Sequence, residues 1–471
     1  MSVESIEGSI RTTKPPRLRL PYRGKKLLER VRRYHHGGLP GVASEIARHF
    51  NALQDLVSPT GISSQTLTIT MEDGIATKTD THTGLTKQDF LFNLPGLVLP
   101  NGKRIDPFTL FIARLYDGFR LDPGKKPIIL CHGAFTNGNS WQVGTEGRNV
   151  RHLHKYDSFA NYLASQGFDV YILNLPFAKR IYARFIQSVY GVKYRPDPNV
   201  GFDEILEYIP SIIDFVLQTH NHHLQRGGAG PEKHQIDWIG HSLGGMLMYA
   251  YLPRRDARIH AAATIGSPVS LDSGILKWAS KFNRVVERLG KEEQRAQDNP
   301  LSPAKQVVRA IVPLSDAIYF TPSRFIDMGG RLFPLTSYVY NRDNASPYTI
   351  KPFLLSAAEP VSPRLMDFFL KMAERNEFTS ITPGLNRDYN DLMGGIETPL
   401  LFIAGAKDFL ATVGSIKNAW RYAALRHSPK MRTKLFPLQV LKDYGHVDLL
   451  TGLRATIEVA RMAADFFNRI K

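Results

Sequence analysis

From residue 127 onward, short continuous apolar runs alternate with stretches of helical periodicity. Apolar runs of four to eight residues are typical of strands buried on both faces of a parallel sheet. The predicted strands are KKPIILCHG, FDVYILNLP, HQIDWIG, IHAAATIGSP, TPLLFIAGAKDFL and TKLFPLQVLKDYGHVDLL, and the predicted helices are SFANYLASQG, FDEILEYIPSIIDFVLQTH, GGMLMYAYLP and TIEVARMAADFFNRI. This alternation predicts βαβ units with right-handed crossovers.

Upstream of these units the pattern changes. The stretch QTLTITMEDGIATKTDTHT alternates apolar and polar residues around EDG, which predicts a strand pair near the sheet edge. The stretch ARLYDGF predicts another short strand, and GLPGVASEIARHFNALQDLV predicts a short amphipathic helix.

The alternation stops at about residue 271, and helical or irregular sequence follows, including VVRAIVPLSDAI and PRLMDFFLKMAERNEF. We therefore expect an α/β fold with a mostly parallel central sheet flanked by helices and an inserted, largely helical cap. The predicted parts are an N-terminal arm at residues 1–40, the first part of the core at 41–270, the cap at 271–395 and the second part of the core at 396–471.

The composition is that of a globular protein. Hydrophobic residues make up 43% of the 471 positions and charged residues 22%, which argues against disorder. The sequence contains neither a membrane-spanning apolar run of about 20 residues nor an apolar N-terminal segment typical of a secretory signal. The single cysteine, Cys131, excludes an intrachain disulfide. We expect a cytoplasmic protein.

The formal net charge is +17, and much of it lies at the N-terminus, where residues 1–40 hold ten Lys and Arg against three Glu. Two interpretations of this arm stay open. It is a solvated extension, or it contacts an anionic membrane surface and makes the protein a peripheral membrane protein. Nucleic acid is not an expected partner, because no recognition motif follows the arm.

The sequence Gly240-His241-Ser242-Leu243-Gly244 lies between a predicted strand and a predicted helix. A G-x-S-x-G pattern in this context predicts a nucleophile elbow, in which small flanking residues permit a tight turn that exposes the serine oxygen. The turn also places the Leu243 N–H at a helix N-terminus, where it stabilises a developing oxyanion. The alternative is a chance match in a loop.

A serine nucleophile needs a base and an acid that orients the base, in the chain order Ser, acid, His for this topology. Asp408 follows a predicted strand and a glycine turn, and His446 follows the next apolar run. Asp272 is an alternative acid, and Asp448 is expected to orient the histidine loop.

The second oxyanion donor is expected after the first buried strand, where His132-Gly133-Ala134 makes the Ala134 N–H the candidate. Cys131 is expected to be a core residue. The histidine-rich stretches RHLHKYD and THNHHLQ lack a matching ligand spacing, so we expect solvated histidines and neither a metal nor a cofactor.

Four motifs, CHGAFTNGNSW, GHSLGG, AGAKDFLA and YGHVDLLTG, occur in this order and resemble the α/β-hydrolase superfamily. The resemblance is strongest to its acid-lipase-like branch, which includes gastric and lysosomal lipases and their bacterial relatives. It covers about residues 66–270 and 365–471. It implies an α/β-hydrolase fold, a Ser242, Asp408 and His446 triad, and Ala134 and Leu243 as oxyanion donors. Cys131 and Leu243 stand where those lipases usually carry glutamine.

These observations lead to three hypotheses. The first is a serine carboxylic-ester hydrolase that acts on an apolar acyl ester, either a small molecule or a lipid, with the cap roofing the acyl pocket. The second is an acyltransferase that uses the same triad with an alcohol as acceptor. The third is a membrane-associated binding protein without catalytic activity.

Overall fold

The computed structural model describes residues 67–72, 75–80, 84–144, 158–178, 200–227, 230–271, 340–359 and 361–470. All of these ranges belong to one structural unit, Ser58–Lys471. The predicted arm, the predicted helix before residue 60 and the stretch VVRAIVPLSDAI lie outside the described residues. Within the described ranges, no helix combines the length and apolar character needed to cross a membrane.

The described residues form a large sheet and a small one. The large sheet has ten strands in the order β1-β2-β3-β6-β8-β7-β9-β10-β11-β12, and β4 and β5 pair separately. The strands are β1 Leu67–Glu72, β2 Ile75–Asp80, β3 Leu85–Leu94, β4 Leu97–Val98, β5 Arg104–Ile105, β6 Phe108–Asp117, β7 Ile128–Cys131, β8 Val170–Asn174, β9 Ile236–His241, β10 Ile259–Ile265, β11 Leu400–Gly405 and β12 Leu438–Leu441. Strands β7 to β12 pair in parallel, whereas β1, β2, β3 and β6 pair antiparallel.

Helices cover both faces of the sheet. They are α1 Phe159–Ser165, α2 Phe202–Arg226, α3 Leu243–Tyr251, α4 Pro347–Pro352, α5 Pro363–Arg375, α6 Tyr389–Leu392, α7 Val413–Ala424, α8 Pro429–Leu435, α9 Asp448–Thr451 and α10 Arg461–Arg469, with π-helical turns at Phe353–Ala357 and Thr456–Ala460. One apolar core joins a sheet face to α2, α3, α5 and α7. A second core joins the other face to α1 and α10.

Side chains of single strands divide between these two cores. In β7, Ile129 and Cys131 belong to the first core, and Ile128 and Leu130 belong to the second, all of them fully buried. A strand that is buried on both faces has no polar face, which explains why the sequence shows a continuous apolar run. The predicted α/β fold with a mostly parallel central sheet is confirmed, and Cys131 is a core residue as expected.

The antiparallel edge differs from the prediction. The hairpin of β1 and β2 is present, but β6 is ten residues long rather than short, and β3 was not predicted. The side chains of Lys87 and Asp89 in β3 are both buried and form an ion pair at 3.6 Å. These inward-facing charges break the apolar alternation by which a half-buried strand is recognised.

The turn from β9 into α3 leaves no room for side chains at its glycines. A Cβ built on Gly240 would lie 2.2 Å from the backbone of Gly244, and one built on Gly244 would lie 2.2 Å from the carbonyl oxygen of Cys131. Both contacts are with backbone, which cannot move aside as a flexible side chain does. The helix start is therefore packed directly against the end of β7.

Substitution of Gly240 by alanine tests this close packing. We expect Gly240→Ala to lower the free energy of unfolding by more than about 3 kcal/mol, because the added methyl group meets backbone atoms on the next turn. Gly414→Ala in α7 is the matched control, since its nearest atom is 3.7 Å away. We expect the control to stabilise by up to about 1 kcal/mol through helix propensity. Urea denaturation of both variants gives the comparison, and equal stability would contradict the packing argument.

Candidate active site

Ser242 occupies the strained centre of the turn between β9 and α3. Its backbone has φ 51° and ψ −116°, which is unusual for a residue with a side chain and costs about 1–3 kcal/mol. The Ser242 N–H donates to the Ile265 carbonyl oxygen at 2.9 Å, and the Ser242 carbonyl oxygen accepts from Gly245 and Met246 at 3.1 Å. Ser242 is half-buried, whereas its neighbours on both sides are buried. The turn thus presents the serine while fixing its backbone.

Asp408 and His446 lie together, although 38 residues separate them in the chain. The His446 Nδ1 is 2.8 Å from Asp408 Oδ2, and both residues are buried. The other carboxylate oxygen, Oδ1, accepts from the backbone N–H groups of Leu410 and Ala411. A carboxylate fixed in this way holds the histidine with its Nδ1 proton toward Asp408, which leaves Nε2 to act as a base.

The end of β10 connects this pair to the serine. Gly266 directly follows Ile265, whose carbonyl oxygen accepts from the Ser242 N–H. A Cβ on Gly266 would lie 3.3 Å from Asp408 Oδ2 and 3.4 Å from His446 Nδ1. Ser242 follows β9, Asp408 follows β11 and His446 follows β12, so the carboxyl ends of these strands bring the three predicted residues to one edge of the sheet, where α/β folds usually place their sites.

The side chain of His241 links the elbow to the histidine loop. Its Nε2 lies 3.0 Å from the His446 carbonyl oxygen, and the two rings are 4.7 Å apart between centroids. Burial, with a further contribution from His446, lowers the pKa of His241 well below its usual value, so the ring is neutral and Nε2–H donates. The sequence prediction used His241 only as part of the elbow and missed this contact.

The loop after β7 places its backbone against the serine. A Cβ on Gly133 would lie 2.9 Å from the Ser242 Cβ. The Gly133 carbonyl oxygen is held by His132 Nδ1 at 2.8 Å and by Thr136 Oγ1 at 3.0 Å. In a trans peptide the N–H points opposite to the carbonyl, so the Ala134 N–H points away from these two donors. His132 and Thr136 therefore contact the Gly133 carbonyl oxygen and not the Ala134 N–H.

His132 is itself held in one tautomer. Its Nε2 accepts from the Leu175 N–H at 3.0 Å, so the proton is on Nδ1 and is donated to Gly133. Burial lowers the pKa of His132 to about 4, which keeps the ring neutral. The sequence prediction missed this role, although His132 stands directly before the glycine of the loop.

Leu243, the other predicted oxyanion donor, is the first residue of α3. The N–H groups in the first turn of a helix have no intrahelical acceptor, and the helix dipole places partial positive charge there. The buried Leu243 side chain packs into the first core, which orients its backbone. The Leu243 N–H thus lies at the start of α3, directly after Ser242, and the Ala134 N–H lies in the loop after β7.

Two further carboxylates were considered from the sequence. The buried Asp448 accepts from the Gly445 N–H at 2.8 Å and so contacts the histidine loop, as expected. Burial raises the pKa of Asp448. Asp272, the alternative acid, lies outside the described residues.

The expectation of solvated histidines is wrong for His220. This residue is buried on α2, and its Nδ1 lies 2.6 Å from Asp169 Oδ2, while Arg114 contacts the same carboxylate at 2.7 and 2.8 Å. Burial alone would raise the pKa of Asp169, but Arg114 and His220 together outweigh it and the pKa is lowered. The helical spacing to the buried Leu217 and Leu224 was the signal for an inward-facing histidine.

The other histidine-rich stretch, RHLHKYD, lies outside the described residues. In the described ranges, no three His, Cys, Asp or Glu side chains are grouped so that they could hold a metal ion. Burial raises the pKa of the Cys131 thiol above its usual value, which disfavours a reactive thiolate beside the site.

Proteins similar to this chain include a lipase, an esterase and a phospholipase. A lipase of Arabidopsis thaliana named triacylglycerol lipase 2 is 24% identical over 370 residues, which cover 74% of this chain and 78% of that protein. A thermophilic esterase from Thermogutta terrifontis has 15% identity and a TM-score of 0.42, covering 81% of this chain and 99% of its own. A membrane phospholipase A has 14% identity and a TM-score of 0.42, covering 95% and 98%.

The model of the α/β-hydrolase family matches residues 128–459. This range begins at the first residue of β7, and it contains the elbow at Ser242 and both Asp408 and His446. The chain belongs to the α/β-hydrolase family.

Proposed function

We propose that the protein is a serine carboxylic-ester hydrolase that acts on an apolar acyl ester through Ser242, Asp408 and His446. The observation that carries the proposal is the 2.8 Å contact between His446 Nδ1 and Asp408 Oδ2, beside a serine held at positive φ. A serine hydroxyl is a weak nucleophile at neutral pH, and this arrangement supplies the base and the group that orients it. The similarity to a triacylglycerol lipase supports ester hydrolysis.

In the first half of the reaction, Ser242 Oγ attacks the ester carbonyl carbon and His446 Nε2 accepts the hydroxyl proton. The negative charge that forms on the carbonyl oxygen is stabilised by the N–H groups of Ala134 and Leu243. The intermediate then collapses, the carbon–oxygen bond to the alcohol breaks, and His446 gives its proton to the leaving alcohol.

In the second half, water attacks the acyl-enzyme carbonyl and gives a proton to His446. The bond to Ser242 Oγ breaks, the oxygen recovers this proton, and the carboxylic acid leaves. Asp408 stabilises the imidazolium that forms in each half. An acyltransferase would share the first half and replace water by an alcohol in the second.

An apolar acyl group is supported by the aromatic residues next to the site. Phe135 follows Ala134 and is 49% exposed, and Phe409 follows Asp408 and is 52% exposed. Large aromatic side chains that remain half-exposed beside polar reacting groups are suited to contact with an apolar ligand. We propose further that the predicted cap at residues 271–395 roofs an acyl pocket beside these aromatic residues, while α5 within this range packs into the first core.

Replacement of the nucleophile gives the primary test. We expect Ser242→Ala to lower kcat for p-nitrophenyl esters on the order of 10⁶-fold, because the attacking oxygen is lost while the Cβ stays in place. The same variant should fail to react with a fluorophosphonate probe that labels the parent protein. Near-normal turnover would contradict the assignment. A chain-length series of the esters defines the acyl preference, and product analysis with added alcohol tests the acyltransferase alternative.

The identity of the acid is tested separately. We expect Asp408→Asn to lower kcat on the order of 10⁴-fold, because an amide at this position favours the wrong tautomer of His446. Asp272→Asn is the comparison variant, and we expect its kcat to stay close to that of the parent protein. A large loss in the Asp272 variant, with Asp408→Asn active, would move the acid to the other position.

We also propose that the basic arm attaches the enzyme to anionic membranes, where lipid esters accumulate. Each basic residue near such a surface contributes about 1 kcal/mol. We expect deletion of residues 1–35 to weaken co-sedimentation with phosphatidylserine-containing vesicles and to leave turnover of a soluble short-chain ester unchanged. Vesicles of phosphatidylcholine alone are the control. Binding that is unchanged by the deletion, or insensitive to salt, would show a solvated extension.

A further inference from the structure

One segment of the chain contacts two loops of the candidate site. Residues 340–359, here called the strap, comprise the 3₁₀ turn Arg342–Asn344, helix α4 and the π-helical turn Phe353–Ala357. The strap contacts the loop after β12, which carries His446, and the loop after β7, which carries Ala134. These loops come from strands separated by three others in the sheet, namely β9, β10 and β11.

The first end of the strap holds the histidine loop through Asp448. This buried carboxylate accepts from the Gly445 N–H at 2.8 Å, and it also accepts from the Asn341 N–H and from Asn344 Nδ2, both at 3.2 Å. The side-chain amide of Asn341 donates to the Asp443 carbonyl oxygen at 2.6 Å. Asp448 therefore joins the residue directly before His446 to two residues of the strap.

The second end of the strap holds the loop after β7, which carries the proposed oxyanion donor Ala134, through Asn137. The Asn137 N–H donates to the Ala357 carbonyl oxygen at 2.9 Å. Its side-chain amide donates to the Ser356 carbonyl oxygen at 2.9 Å and to Glu359 Oε1 at 3.1 Å. Asn137 is fully buried, so these bonds are shielded from water.

A further bond acts next to the proposed oxyanion donor. The Glu359 N–H donates to the Phe135 carbonyl oxygen at 2.9 Å, and Phe135 has φ 59°. A bulky residue at positive φ is strained and persists where its surroundings fix it. The strap thus fixes the backbone of the residue that directly follows Ala134.

An apolar cluster fills the space between the two ends. Its buried members are Val143 from the segment after β7, Val447 from the histidine loop, and Tyr340, Phe353 and Ala357 from the strap. Because all three segments contribute, displacement of the strap would expose apolar surface on each of them. Polar bonds at both ends and this cluster between them make the strap and the two loops one packed unit.

We propose that residues 340–359 are a positioning strap that sets the distance between the oxyanion donor Ala134 and the base His446, with Asn137 and Asp448 as its anchors. The proposal rests on the function proposed above. Catalysis requires the reacting groups to be placed to within about 1 Å, and an error of that size costs about 10²-fold in rate. Asn137 and Asp448 are positioning residues, because they act on Ala134 and His446 through the backbone.

The test uses Asn137→Ala, Asp448→Asn and the double variant, with a soluble p-nitrophenyl ester as substrate. We expect each single variant to lower kcat about 10²-fold and to leave KM within about threefold, because geometry is lost and ground-state contacts are kept. Since both anchors act through one strap, we expect the double variant to lose much less than the product of the single losses.

Two control variants remove bonds of the same chemical kind elsewhere, at exposed positions. The Asn101 side chain donates to the Pro383 carbonyl oxygen, and Asp388 caps α6 by accepting from Asn390 and Asp391. We expect Asn101→Ala and Asp388→Asn to keep parental kcat. Circular dichroism and urea denaturation identify any variant that does not fold. Asn139→Ala, which removes the bond to the Ser356 carbonyl oxygen at 3.0 Å and the one that Asn139 accepts from Gln142, then replaces Asn137→Ala.

The outcomes separate the strap from the reaction itself. Single-variant losses that multiply in the double variant would overturn the strap, because the two anchors would then act independently. A rise in KM at unchanged kcat, or parental kcat in both single variants, would also overturn it. If the parent protein lacks turnover, or if Ser242→Ala is as active as the parent, the proposed function itself is wrong, and the strap proposal falls with it.

Discussion

The direct backbone contact between the β9–α3 turn and the end of β7 is the constraint on which the rest of the site depends. Gly240, Gly244 and Gly133 each lie where a Cβ would be within 3 Å of a neighbouring atom. This proximity forces Ser242 into a strained conformation, and the buried surroundings hold it there. The same contact brings the loop after β7 next to the serine, from which α3 begins. The nucleophile and both proposed oxyanion donors therefore result from one packing arrangement.

The electrostatics of the site depend on which histidines are neutral. Burial lowers the pKa of both His132 and His241, and each donates one N–H to a backbone carbonyl oxygen. Neutral rings can fix backbone groups without placing positive charge near His446, which must itself become positive during the proposed reaction. His446 differs from them because it has a carboxylate partner, Asp408. His132 and His241 are buried without a carboxylate partner, and His446 is buried with one. This difference gives them different roles.

Much of the fold was predictable because the parallel strands are buried on both faces and their apolar runs are uninterrupted. The alternation rule for half-buried strands failed for the antiparallel strand β3, where Lys87 and Asp89 form a buried ion pair. The expectation for His220 failed because the lack of a ligand spacing indicated solvated histidines, whereas Asp169, which is itself paired with Arg114, contacts His220 in the folded chain. The helical spacing could indicate that His220 faces inward, but its partner Asp169 lies 51 residues away and leaves no local pattern.

The candidate site likewise has a part that was predictable from the sequence and a part that was not. Ser242, Asp408 and His446 could be placed from the sequence because each follows a strand, and parallel strands end at one edge. The contacts of the strap could not, since Asn137 and Ser356 are 219 residues apart and nothing in the sequence around Ser356 indicates this partner. The roles of His132 and His241 were likewise hidden, because their partners are backbone atoms of Gly133 and His446, which any sequence supplies.

Three side chains from separate elements hold the histidine loop. Asp448 holds the Gly445 N–H, Asp408 holds the His446 ring, and His241 holds the His446 carbonyl oxygen. The backbone before and after the ring and the ring itself are thus all fixed. Rotation about χ1 and χ2 of His446 is opposed by Asp408, and movement of its Cα is opposed by Asp448 and His241. The location of Nε2 is consequently determined by more contacts than a single loop could provide, which meets the need of proton transfer for precise placement.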